Sequence, residues 1–169
     1  MVSVAEASSI VFTHLFKPTV VAVRFQEAVN KVLAENIVAD RDFPPFNRVS
    51  MDGIVIQFAS WKRGCREFIL EGTQPAGVPQ MSLADTQHCF QVMTGAVLPK
   101  NTDTVIQYED IEIKDGAARI LTDEVVKGQN IHGQGNDAPA GSILLESGVF
   151  LSPAEIALLA AVGKVTVEV

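Results

Sequence analysis

The stretch DFPPFNRVSMDGIVIQF, residues 42–58, decides how this chain is read. Pro44 and Pro45 hold the backbone extended and lower the entropy of the unfolded chain. Asp52 and Gly53 form a turn or bulge that aims a carboxylate outward. The β-type run GIVIQF then begins at Gly53. On its C-terminal side EFIL, CFQVM, DTVIQYE and AARILT are further short β-type runs. They are separated by GTQPAG, TGAVLPKNTD and IKDGA, segments rich in turn residues. Short strands at this spacing predict a barrel-like or bifurcated β domain over residues 45–130.

The flanks read differently. SVAE opens a helix, with Ser3 as N-cap and Glu6 completing a capping box, and the helix runs from 3 to about 16, before Pro18. RFQEAVNKVLAEN predicts a second helix, because Phe25, Ala28, Val29, Val32 and Leu33 repeat at helical spacing. The β-type runs TVVAV and NIVAD flank it. SPAEIALLAAVG predicts a third helix, capped by Ser152, with Pro153 in the first turn, Glu155 completing the box and Gly163 at the end. In KVTVEV the alternation predicts Val165, Val167 and Val169 on one face. The simplest packing joins residues 1–44 and 131–169 as one small α+β domain, with the β domain inserted between them. The expected fold class is therefore α+β and β-rich.

Composition narrows the function. A chain of 169 residues with 47% hydrophobic residues can bury a core without staples. A formal charge of −7 argues against nucleic acid or an anionic membrane as a partner, since those surfaces need clustered Lys and Arg. A small anion held by backbone amides stays open. IVFTHLF and IALLAAVG are too short to span a bilayer, and the N-terminus lacks the basic region of a secretory signal. Cys65 and Cys89 form no CxxC and have no histidine at metal spacing, which suits two thiols in a reducing compartment. The expected location is cytoplasmic.

Three loops carry polar groups suited to chemistry. The first presents Ser50, Asp52 and Gly53; its plainer reading is that Asp52 only supports the turn. In the second, MTGAVLPKNTDTV, Thr94 sets a hydroxyl beside Gly95, which tolerates close approach of a ligand. Its plainer reading is a connection between strands. The third, GQNIHGQGNDAPAG at 128–141, has glycines that permit an anion-binding nest, and Asp137 is its one acid. It is neither a Walker A loop nor a dinucleotide fingerprint, since no Lys-Ser/Thr follows and no helix opens there. His14, His88 and His132 are scattered, and no Ser-His-Asp, zinc or paired-carboxylate pattern is legible. No metal-ligand set is assigned.

Taken in order, these segments resemble one family, the molybdopterin molybdenumtransferases, which include bacterial MoeA and the gephyrin E domain. VLAENIVADRDFPPFNRVSMDG resembles the segment that enters the family's SMDG motif. PAG at 75–77 is similar to a family turn, and MTGAVLPKNTDTVIQYED resembles its MTGAPLPxGADxVV-QxE segment. GQNIHGQGNDAPAGSILLESGVFLSPAEIALLAAVGKVTV resembles its GxNxRxxGED–GxxLL–G–L-x-P-A-E–LLAS-G segment, so the resemblance runs almost end to end.

The resemblance implies a transferase that inserts molybdate into adenylylated molybdopterin with magnesium. It implies a homodimer whose active cleft lies between the β domain of one subunit and a molybdopterin-binding domain of the other. Asp52 and Thr94 are then the catalytic residues, and Ser50, Gly53, Gly95, His132 and Asp137 contact the ligand. Magnesium and molybdate are implied to bind mainly with the other domain, which would follow Val169, so this chain alone is expected to be inactive. The first helix, in that picture, packs on the same absent domain. Ile54 stands where the family has Tyr or Phe. His132, Gly133 and Gln134 replace a run that carries arginine, and Asn136 replaces Glu, which weakens the expected grip on a polyanion. Two other readings stay open: a non-catalytic dimerisation or scaffold module, and a barrel-like binder of another small ligand.

Overall fold

The computed structural model describes residues 2–16 and 18–169. In chain order the elements are α1 (Val4–Thr13), β1 (Ala22–Arg24), β2 (Ile37–Val38), β3 (Arg48–Val49), β4 (Gly53–Ile56) and α2 (Phe58–Lys62). Then come β5 (Glu67–Gln74), β6 (His88–Val92), β7 (Thr104–Gln107), β8 (Ile111–Lys114) and β9 (Ala117–Ile120). The last are β10 (Ile131–His132), β11 (Ile143–Leu145), α3 (Pro153–Ala161) and β12 (Thr166–Glu168). The fold is α+β and β-rich, with few helices. Backbone contacts divide it into two units, Met1–Ile37 with Ile143–Val169, and Val38–Ser142.

The first unit is built from both ends of the chain. Both capping boxes read from the sequence are present. In α1, Glu6 N–H donates to Ser3 Oγ at 3.2 Å and Ser3 N–H donates to Glu6 Oε2 at 2.8 Å. In α3, Ser152 and Glu155 repeat the arrangement, with Pro153 in the first turn. No side chain of α1 is buried. β1 and β12 pair antiparallel, with Val23 opposite Val167, and Val167 is buried with Ala28, Leu33, Ile37, Leu151 and Leu159. Val165 lies one residue before β12 begins and is 73% exposed, so of the three valines expected on one face only Val167 is buried.

The expected second helix is absent. Over residues 24–36 only Phe25–Glu27 coils, as one turn of 3-10 helix. The backbone then spends its hydrogen bonds across the unit: Asn30 N–H on Leu151 O at 2.8 Å, Leu33 N–H on Val149 O at 2.8 Å, and Leu151 N–H on Lys31 O at 2.9 Å. Asn30 takes a left-handed φ of 64°. Val and Asn are modest helix formers, so a competing partner segment decides the outcome. Ala28 and Leu33 are buried as a helical face would bury them, but Val29 and Val32 stay exposed.

The second unit holds a curled six-stranded sheet in the order β7-β4-β6-β5-β9-β8. Neighbours are antiparallel except β5 and β6, which run parallel. β4 sits inside the sheet and every residue of it is buried. Ile54 and Ile56 enter one core with Phe68, Ile106 and Ala118, while Val55 enters the other with Val49, Phe90, Val92 and Val105. A strand covered on both faces reads as a continuous apolar run, which is what GIVI is. α2 was not legible as a helix; Phe58 and Trp61, at helical spacing, stack at 5.5 Å and pack on the first core. β8 was also missed, because IKDGA contributes both a strand end and a turn. Asp115 and Gly116 have φ of 50° and 80°, the two left-handed residues a tight hairpin needs. Residues 38–44 and 131–142, expected with the small domain, fall in this unit. They meet each other there, where Phe43 N–H donates to Ala138 O at 2.8 Å, and β10 in the second segment pairs with β3.

Both cysteines are free. Cys89 is fully buried, and burial pushes its thiol up to about 12. Thiol labelling of the folded protein is expected to modify Cys65, which is partly exposed, and to reach Cys89 only on unfolding. Equal labelling rates for the two would contradict this burial. No described helix is long and apolar enough to cross a membrane.

Candidate functional site

The segment 42–53 touches both of the other loops, and every contact below lies within Val38–Ser142. With the second loop it shares the Asp52–Thr94 clamp. Asp52 Oδ1 accepts the Thr94 N–H at 2.6 Å and the Thr94 hydroxyl at 2.8 Å. Asp52 Oδ2 makes no hydrogen bond with any described residue. The Thr94 amide, and then its hydroxyl, hold the carboxyl of Asp52 below the usual carboxylate range. Asp52 is therefore an anion at neutral pH, with one oxygen fixed and the other available.

Val49 ties the same two loops by backbone. Its N–H donates to Ala96 O and its carbonyl accepts the Gly95 N–H, both at 2.9 Å. Gly95 has φ of 86°, a conformation that suits glycine in this turn. Gly53 is a glycine for a packing reason. A Cβ placed on it would lie 1.9 Å from Ile106 O on the neighbouring strand β7.

The third loop reaches the first through β3 and β10. Ile131 lies opposite Val49, and His132 lies opposite Arg48. Ser50 N–H donates to Asn130 O at 3.0 Å, and the Ser50 side chain is exposed without a hydrogen bond to any described residue. Within the loop His132 Nε2 and Asp137 Oδ1 are 2.7 Å apart. The structure thus brings together Asp52 with Thr94, and His132 with Asp137, and sets Ser50 and Gly95 beside Val49. Among the described residues no group of three or more His, Cys, Asp or Glu is placed to hold a metal ion.

Three residues of this patch were not singled out from the sequence. Asp42 is a buckle: its Oδ1 accepts Ala140 N–H at 2.9 Å and its Oδ2 accepts Gln134 Nε2 at 2.8 Å. Asn47 Oδ1 adds a bond from Gln134 N–H at 2.9 Å. Arg48 is the third. Alternation across NRVS could have found it, since an inward Val49 puts Arg48 and Ser50 outward.

Asp42 gives a pH prediction. The Ala140 amide, and then the Gln134 side chain, lower its pKa. Such a group stabilises the fold above its unfolded pKa, and that contribution is lost as pH falls through the lower folded value. Asparagine cannot accept at two oxygens, so Asp42→Asn is expected to melt earlier than wild type at about pH 7. The gap in melting temperature should narrow as pH falls below the ordinary aspartate range, where the carboxylate takes up its proton. A gap of the same size at neutral and at acid pH would contradict the buckle.

Comparison with known proteins was informative along the whole chain. A family model described as the MoeA N-terminal region (domain I and II) matches residues 2–163. The molybdopterin molybdenumtransferase of Synechocystis sp. is 40% identical, over 100% of this chain and 44% of the relative. That of Haemophilus influenzae is 28% identical, over 99% of this chain and 42% of the relative. The crystal structure of a molybdopterin biosynthesis moeA protein from Pyrococcus horikoshii OT3 superposes with a TM-score of 0.90 at 31% identity, covering 100% of this chain and 46% of that one. The chain thus spans less than half the length of these relatives.

Proposed function

The chain belongs to the MoeA N-terminal family, and on that premise we propose that it forms part of a molybdopterin molybdenumtransferase, which inserts molybdate into adenylylated molybdopterin. The observation that supports this reading is the Asp52–Thr94 clamp. Two donors from one residue fix one oxygen of an ionised carboxylate, and the second oxygen is left for a ligand. A group held this way loses little entropy when it engages a substrate.

In this reading Asp52 and Thr94 are the catalytic residues, and Ser50, Gly95, His132 and Asp137 line the ligand's path. The other half of the cleft comes from a molybdopterin-binding domain in the partner copy of a homodimer. Asp52 alone does not make a magnesium site. It fits magnesium as one carboxylate among substrate phosphates and waters, the usual manner of binding for that ion. An ion held there by Asp52 would supply charge neutralisation on phosphate and molybdate oxygens. Asp52 would orient the ion or its water, and the Thr94 hydroxyl would hold the carboxylate in register. We place the protein in the cytoplasm, in keeping with its two free thiols.

The reaction itself is testable. The protein that carries this chain at its natural length is incubated with adenylylated molybdopterin, molybdate and magnesium, and molybdenum retained by the pterin fraction is measured. Molybdenum should be retained only when all three are present, and the 169-residue chain alone should give none. A folded full-length preparation that loads no molybdenum would overturn the reading.

A further inference from the structure

Arg48 stands in the middle of the candidate patch, and no role above uses it. It lies on β3 with His132 opposite it on one side and Val97 opposite it on the other. Its neighbour Val49 is fully buried, so Arg48 and Ser50 both face away from the core, and both are exposed. Cross-strand partners share a face, which puts His132 on that side as well. The Arg48 guanidinium makes no hydrogen bond, ion pair or ring contact with any described residue. Of the acids on these loops, Asp137 is bonded to His132, Asp42 to Gln134 and Ala140, and Asp52 to Thr94 through one oxygen only; none of them pairs with Arg48. The result is an uncommitted cation beside a free hydroxyl, in a chain of formal charge −7.

We propose that Arg48 is the oxyanion anchor of this patch, gripping a tetrahedral oxyanion with its guanidinium while the Ser50 hydroxyl donates from the same face. The ligand class is a phosphate or molybdate group. A guanidinium suits it because its planar fork makes two parallel charge-assisted hydrogen bonds, which an ammonium cannot. His132 does not replace it, since one ring nitrogen is committed to Asp137. Arg48 is in this account a specificity-determining residue, and the proposal rests on the functional reading above for the location of the ligand.

The test is a binding titration, which does not depend on turnover. Isotope-labelled chain, 18.2 kDa, is titrated separately with sodium molybdate and with adenosine monophosphate while its amide and arginine Nε–H signals are followed. Saturable shifts are expected at Arg48 Nε–H and at the Ser50 and His132 amides. A response to molybdate alone marks a site for the free oxyanion, and a response to the nucleotide alone marks a site for the ligand's phosphate. Arg48→Gln should weaken binding by about tenfold or more, the usual worth of a hydrogen bond to a charged group. Arg48→Lys should fall between the two. Because the Arg48 guanidinium has no partner among the described residues, Arg48→Gln should melt as wild type does. No response to either probe in wild type, or equal binding by Arg48→Gln, would overturn the proposal. Loss of transfer activity with Arg48-dependent binding intact would count against the catalytic reading and leave this one standing.

Discussion

Gly53→Ala is expected to destabilise the second unit by about 3 kcal/mol or more, at the upper end for overpacking. The added Cβ would lie 1.9 Å from Ile106 O, 2.8 Å from Ile106 C and 2.9 Å from Gln107 Cα. All three are backbone atoms of β7, so no rotamer change relieves the overlap. β7 is an edge strand of the sheet and could move only by peeling from β4. That movement would expose Val105 and Ile106, both fully buried and one in each core. It would also pull on Tyr108 N–H, which donates to the Asp52 carbonyl at 3.2 Å. Denaturant unfolding followed by fluorescence of Trp61 gives the number. A loss under about 0.5 kcal/mol, the range of a neutral surface change, would mean that β4 and β7 are less tightly apposed than described here.

The same residue shows how the sequence can be legible in outline and opaque in cause. Gly53 stands out in SMDG as a turn glycine beside a carboxylate, yet its necessity comes from a strand more than fifty residues away. Local signals were readable where the physics is local. The two capping boxes need only residues three apart, and both are present. GIVI reads as a strand because burial on both faces demands an unbroken apolar run. Residues 24–36 failed for the opposite reason. Their spacing satisfies a helix, but a partner segment at 149–151 competes for the same backbone groups and wins. The short helix α2 and the hairpin strand β8 were lost between stronger signals on either side. The site follows the same rule. Each of its loops could be found from residue types, while the contacts that join them, Asp52 to Thr94 and Asp42 to Gln134, span 42 and 92 residues. Resemblance to a family set Asp52 and Thr94 at one cleft, but it gave neither of these contacts.

Asp52→Asn carries the second large effect, and it separates function from fold. The carboxylate is exposed, and the asparagine carbonyl can still accept both bonds from Thr94. The fold should therefore survive with little change. What asparagine removes is the charge and the free second carboxylate oxygen, the features a metal-bound oxyanion or its water would use. Loss of a positioned acid–base or ligating group costs a rate factor on the order of 100 or more. The deciding measurement is the rate of molybdenum loading by the Asp52→Asn form of the natural-length protein, taken with its melting temperature from the same preparation. Loading reduced by about 100-fold or more at an unchanged melting temperature is the predicted result. Loading at the wild-type rate would contradict the account, and so would an unfolded variant, since Asp52 would then be a turn support and nothing more.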